Sequence, residues 1–141
     1  MTTIFAIVLF FIFLSLSLIH FYWLLGGTWG IEKAIPTDKN GHPVLNPSKI
    51  ATITVALALF SFALFYLSKG NILTISFYIW IQTYGGWIIS GIFILRAIGD
   101  LRYVGFFKKI KNTHFAEADM RYYAPLCLSI GCIGILIELI N

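Results

Sequence analysis

Four long apolar runs constrain the fold of this chain more than any other feature. Each is long enough to cross a bilayer as a helix, and they cover about residues 3–25, 49–68, 72–98 and 122–140. Only 11% of the residues are charged, against roughly 25% in soluble domains. We therefore predict an all-α membrane protein in which residues 1–141 form a single up-down bundle of four transmembrane helices.

The first run could also be interpreted as a secretory signal peptide. A signal peptide has basic residues before its apolar stretch and a small-x-small cleavage site after it. This chain has neither: it begins with Met1, Thr2 and Thr3, and the run ends in His20, Tyr22 and Trp23. We therefore expect the first run to remain as a membrane helix.

The distribution of basic residues predicts the orientation of the bundle. With four spans, the two termini and the connection at 69–71 share one side, whose only basic residue is Lys69. The other nine of the ten basic residues lie on the opposite side: Lys33, Lys39, Lys49, Arg96, Arg102, Lys108, Lys109, Lys111 and Arg121. Because basic loops stay in the cytoplasm, we expect both termini on the non-cytoplasmic side. The short 69–71 connection predicts that the second and third helices are antiparallel neighbours.

Residues 95–125 gather most of the charge between two apolar runs. The mixture of aromatic and basic residues at 101–110 predicts an interfacial helix. Four helix ends would meet at this cytoplasmic boundary, and they define a candidate ligand-binding cluster of His20, Trp23, Trp29, Arg96, Asp100, Arg102, Asp119, Arg121 and Tyr122. Arg96 and Arg102 would offer positive charge to an anionic headgroup or a small anion. His20 beside Asp100 or Asp119 would be able to move a proton.

The same residues also allow a structural interpretation. Arg96 and Asp100, at i and i+4, would form an ion pair at the end of the third helix. Asp119 would cap the fourth helix, His20 would be hydrogen-bonded between helices, and the aromatic residues would form an interfacial belt. Glu138 would be solvated at the outer interface.

Other chemistries receive little support. His20, His42 and His114 lie on three separate segments with no i,i+4 pair, so we expect no metal site and no cofactor. Cys127 and Cys132 lack a zinc-type spacing, and no GxSxG motif is present. The glycines at 26–30 do not follow a strand, so they are not a nucleotide fingerprint. We predict no catalytic residue.

Three segments resemble a bacterial family of small four-helix membrane proteins known as a domain of unknown function. They are HFYWLLGGTWG at 20–30 with Ile35-Pro36 after it, LRAIGDLRYVGFFKK at 95–109, and THFAEADMRYYAPLCL at 113–128. The resemblance implies the four-helix fold and a multi-pass location in the bacterial inner membrane. It implies no activity.

The function favoured by the sequence is a non-catalytic accessory or interaction subunit, with lipid binding as an added role. Two alternatives remain open: a binding protein or transporter for a small anion or lipid headgroup, and a lipid-modifying enzyme that uses His20 with Asp100 or Asp119. The expected partners are the lipid bilayer, an anionic headgroup or small anion, and a protein partner or a second copy docking through the Gly131/Gly134 face. No nucleic acid is expected.

Overall fold

The computed structural model describes residues 1–141 and is 67% helical without strands. Four helices are long and apolar enough to cross a membrane, which confirms the predicted four-span, all-α architecture. The helices are α1 (Thr2–Leu24), α2 (Ile31–Ala34), α3 (Lys49–Lys69), α4 (Ile79–Ile98), α5 (His114–Ala118) and α6 (Ala124–Ile140). A π-helical turn, Asp119–Tyr123, joins α5 to α6, so the fourth span runs from His114 to Ile140.

The bundle has two chemically different ends. At the first, Ala6 near the start of α1 lies against Gly70 after α3, and Lys69 reaches Glu138 near the end of α6. We call this the terminal end. The opposite end carries α2, α5 and the two long loops, and we call it the loop end.

Packing is strongest between α1 and α3 and between α4 and α6. The second and third spans, predicted to be antiparallel neighbours, touch where Phe65 of α3 lies against Gly85 of α4, but their backbones come close at few points. The chain leaves α3 through Asn71 at φ +55° and stays non-helical until α4 starts at Ile79 instead of near Ile72. Ser68 Oγ donates to Ile75 O over 3.3 Å and folds this segment back over the end of α3.

Aromatic side chains join the two helix pairs in the bundle centre. The Phe13 ring stacks on Tyr66 at 5.7 Å and meets Phe93 edge-on at 5.2 Å, so one residue of α1 contacts both α3 and α4. Glycines let α6 approach α4: a Cβ on Gly131 would meet Ile94, and one on Gly134 would meet Ser90 Oγ. This face is therefore packed inside the chain, and it is not free to dimerise as expected.

The fourth span begins earlier than its apolar run indicates. Thr113 Oγ1 accepts a hydrogen bond from Ala116 N and caps α5, so the prediction that Asp119 caps this helix is wrong. Pro125 lies inside the span and has no N–H to donate to the carbonyl one turn back. The π-helical turn ends two residues before Pro125, where a helix that has lost this bond can widen.

The prediction that Glu138 is solvated is wrong, because its side chain is buried at the terminal end. Its side chain is only 5% exposed and accepts a hydrogen bond from Lys69 over 2.9 Å. The missing Cβ of Gly86 makes room for the carboxylate, since a methyl group there would overlap Glu138 Oε1. A charge buried at a helix end requires such a partner, and Lys69 comes from the other helix pair.

Candidate anion site at the loop end

Asp119 is the centre of a buried ionic cluster. Its Oδ1 accepts from Arg96 Nη2 over 3.0 Å, and its Oδ2 accepts from Lys108 Nζ and from Gly105 N, each over 2.8 Å. Lys108 also donates to Gly105 O over 2.9 Å. Asp119 and Lys108 are both fully buried. Two cations surround one carboxylate, so the cluster carries one excess positive charge.

A glycine-dependent loop brings Lys108 to Asp119. Helix α4 ends at Ile98, Gly99 and Gly105 adopt φ +84° and +88°, and Phe106 N donates to Ala97 O over 2.8 Å. A Cβ on either glycine would strike the backbone of the facing segment, so only glycine allows this approach. The loop folds back on α4 and is not the interfacial helix predicted at 101–110.

Asp100 organises this loop. Its Oδ1 accepts from the backbone N–H groups of Arg102, Tyr103 and Val104 over 2.7–2.9 Å. Partial burial alone would raise the pKa of the Asp100 carboxyl, but these N–H donors together hold that pKa below its ordinary value. The prediction that Arg96 pairs with Asp100 is wrong, because α4 ends before Asp100 and Arg96 binds Asp119 instead.

Arg96 lines a groove of about 770 Å³ between α1 and α6. Other lining residues are His20, Trp23, Trp29, Tyr123 and Cys127, together with apolar residues that continue along both helices. Arg96 Nη2 is held by Asp119, whereas Arg96 Nη1 is buried and has no hydrogen-bond partner. A buried guanidinium nitrogen without a partner has unused N–H donors, which an oxygen of a ligand reaching it would satisfy.

His20 does not face a carboxylate. Its Nδ1 donates to Leu16 O over 2.7 Å, and its ring lies edge-on to Trp23 at 5.1 Å. Trp23 Nε1 in turn donates to the carbonyl of Trp29 over 2.9 Å and fixes the groove wall. Because all the hydrogen bonds of Asp100 and Asp119 go to other partners, the structure forms neither expected His–Asp pair.

The nine predicted cluster residues therefore separate into three groups. His20, Trp23, Trp29 and Arg96 line the groove, and Asp119 fixes Arg96 from behind. Asp100 holds the loop. Arg102, Arg121 and Tyr122 are exposed, and each arginine lies over the tyrosine next to it, at 5.1 Å from Tyr103 and 5.9 Å from Tyr122.

Sequence reasoning missed Lys108, Gly105 and Cys127. Lys108 is half of a Lys-Lys pair, a pattern typical of solvated surface, and no periodicity distinguishes it from the exposed Lys109. The remaining histidines lie elsewhere: His42 is 3.7 Å from Asp38 in an exposed loop, and His114 begins α5.

A protein-family model matches most of the chain. Residues 13–134 match the model of DUF3995, described as a protein of unknown function. This range includes every groove residue from Leu16 to Cys127 and the whole ionic cluster. No curated protein and no solved structure matches the chain.

Proposed function

Since the chain belongs to the DUF3995 family of proteins of unknown function, we propose a function from its site: a non-catalytic, multi-pass membrane protein that binds an anionic lipid headgroup at Arg96. The observation that carries this proposal is the unpartnered Nη1 of Arg96 beside the groove. Asp119 already holds the other guanidinium nitrogen, so the side chain is oriented before a ligand arrives.

Charge favours an anionic ligand. Arg96 and Lys108 together exceed Asp119 by one positive charge. Lys33 and Glu32 also line the groove, and their charges cancel. Asp119 accepts from Arg96 Nη2 and not from Nη1, so Nη1 has no carboxylate oxygen as its hydrogen-bond partner. A phosphodiester oxygen would accept a charge-assisted hydrogen bond there.

The groove lining favours a lipid over a free anion. Beside Arg96, the groove walls are formed by Leu16 and Ile19 of α1 and by Leu126 of α6. These helices are long and apolar enough to cross a membrane. An amphiphile would place its phosphate at Arg96 and an acyl chain against these residues. Trp23 and Trp29 line the same groove, and tryptophan favours the membrane–water boundary.

The proposed location is the bacterial inner membrane, with the loop end in the cytoplasm. Nine of the ten basic residues lie at this end, which supports that orientation. Anionic lipids of the cytoplasmic leaflet would then meet the groove directly. The lipid-modifying alternative has less support, because His20 lacks the carboxylate partner that the reaction would need.

Native mass spectrometry of the chain from mild detergent tests this proposal. We would add phosphatidylglycerol or phosphatidylcholine and compare wild type with Arg96→Gln, which removes the charge. Arg121→Gln is the matched control, since Arg121 is an exposed arginine at the same end and does not line the groove. We expect wild type and the control to retain phosphatidylglycerol.

We expect Arg96→Gln to bind phosphatidylglycerol about tenfold more weakly, as for one lost charge-assisted hydrogen bond. Equal binding of both lipids, or equal loss in both variants, would contradict headgroup binding at Arg96. A wild-type chain that carries another polypeptide and no lipid would instead support the accessory-subunit role.

A further inference from the structure

A second cavity, of about 650 Å³, lies at the terminal end of the bundle, whereas Arg96 lies at the loop end. It exists because residues 70–78 are non-helical and fold over the end of α3. Its polar lining includes Ser68, Lys69, Asn71, Thr74, Ser76 and Gln82. This lining is mostly polar, whereas the loop-end groove is lined mostly by apolar residues around Arg96.

The one ion pair at this cavity has no net charge. Lys69 is the only charged side chain in the lining, and its ammonium donates to Glu138 Oε2 over 2.9 Å. The two side chains are 12% and 5% exposed. A free anion that approached Lys69 would be repelled by the carboxylate behind it, so the pair favours a neutral ligand.

The lining nevertheless offers many hydrogen-bonding groups. Lys69 has three N–H groups and gives one to Glu138. The side chains of Asn71, Thr74, Ser76 and Gln82 are exposed and form no hydrogen bond within the protein, whereas Ser68 is bonded to the folded-back segment. These groups would match a ligand rich in hydroxyl oxygens.

An aromatic ring completes the cavity. Phe77 lines it and is half-buried, and its ring centre is 6.0 Å from that of Phe65, which is only 4% exposed and forms the floor behind it. A sugar ring combines apolar C–H faces with hydroxyl edges, so it can contact the Phe77 ring and the polar groups together. We infer that this cavity binds a neutral, polyhydroxylated group of the hexose type, and that it is a site separate from the Arg96 groove.

Two sources would supply this chemistry: the sugar headgroup of a glycolipid, or a free sugar. The test uses the full chain in lauryldimethylamine oxide, a detergent without a sugar. Native mass spectrometry would measure the binding of monoglucosyl diacylglycerol and of diacylglycerol, which lacks only the sugar. We expect the wild type to bind the glucosyl lipid at least about tenfold more tightly, as for several added hydrogen bonds.

A double variant identifies the site. Thr74→Val with Gln82→Met should weaken binding of the glucosyl lipid about tenfold, through the loss of two hydrogen bonds. Thr83→Val is the matched control, because the Thr83 hydroxyl donates to Ile79 O and does not line this cavity. Methyl glucoside would compete if the sugar alone is recognised, and would not if the lipid must present it.

A photoactivatable glucosyl lipid on wild-type protein provides a test that does not depend on variant folding. We expect crosslinks within residues 68–82. Equal affinity of the wild type for both lipids, crosslinks confined to other segments, or equal binding by the double variant would each overturn the inference.

Discussion

Lys108 donates a hydrogen bond to Asp119 over 2.8 Å, and both side chains are completely enclosed by the protein. This contact attaches the basic loop to the fourth span. It also occupies the Asp119 oxygen that Arg96 does not use, so one carboxylate holds both the loop and the guanidinium that lines the groove.

Lys108→Met should destabilise the protein far more than Lys109→Met. Removing one partner of a buried ion pair costs about 3–5 kcal/mol of the free energy of unfolding, whereas an exposed substitution costs about 0.5 kcal/mol or less. Unfolding by sodium dodecyl sulfate in mixed micelles would measure both. Similar unfolding midpoints for the two variants would show that Lys108 is not buried.

Gly86→Ala should destabilise the terminal end. The new Cβ would overlap Glu138 Oε1 and displace the carboxylate from its position beside Lys69, with a cost of about 2 kcal/mol as for other overpacked sites. Gly91→Ala is the control on the same helix, since a Cβ there meets nothing within 4 Å. It should be neutral or stabilising, because alanine favours the helix.

A double-mutant cycle separates the two possible causes of a Gly86→Ala effect. If the clash with Glu138 is the cause, Gly86→Ala should cost much less in a Glu138→Ala background. An unchanged cost in that background would indicate that another neighbour of Gly86 is responsible. The measurement is again the free energy of unfolding in mixed micelles.

The contribution of Asp100 to stability should depend on pH. Its pKa is lower in the folded state than its ordinary value, so its charge stabilises the fold above about pH 4, the ordinary value. This contribution should disappear as the pH falls through the lower, folded-state pKa.

The measurement compares the unfolding midpoints of wild type and Asp100→Asn at pH 7 and at low pH. The variant should be less stable at pH 7, and the difference should shrink on acidification, when wild-type Asp100 becomes neutral as well. Glu117→Gln, at an exposed carboxylate in α5, is the control and should show a smaller difference at pH 7. A gap between wild type and Asp100→Asn that stays constant with pH would contradict the role of the charge.

Cysteine labelling would test the orientation. In a background with both native cysteines replaced, Ser76→Cys marks the terminal end and Lys109→Cys marks the loop end, both at exposed positions. A membrane-impermeant maleimide should label Ser76→Cys in intact cells and Lys109→Cys only after permeabilisation. The opposite pattern would place the nine basic residues outside.

The sequence alone predicted the four spans, because a long apolar segment has few stable alternatives to a helix in a bilayer. It also located the loop-end residues His20, Trp23, Trp29, Arg96 and Asp119, since polar residues beside apolar runs collect at the boundary. The start of α4 was less predictable: residues 72–78 are apolar enough to extend the run, yet Asn71 and the Ser68–Ile75 bond keep them non-helical.

Only the tertiary structure decided which charges meet. Arg96 could pair with Asp100 four residues away or with Asp119 across 23 residues, and the end of α4 at Ile98 selects the distant partner. Lys108 is buried and Lys109 is exposed for the same reason, because the loop geometry at Gly99 and Gly105 decides which lysine points inward. Hydropathy is a property of local segments and is readable along the chain, whereas ion pairing depends on distances that exist only after the chain has folded.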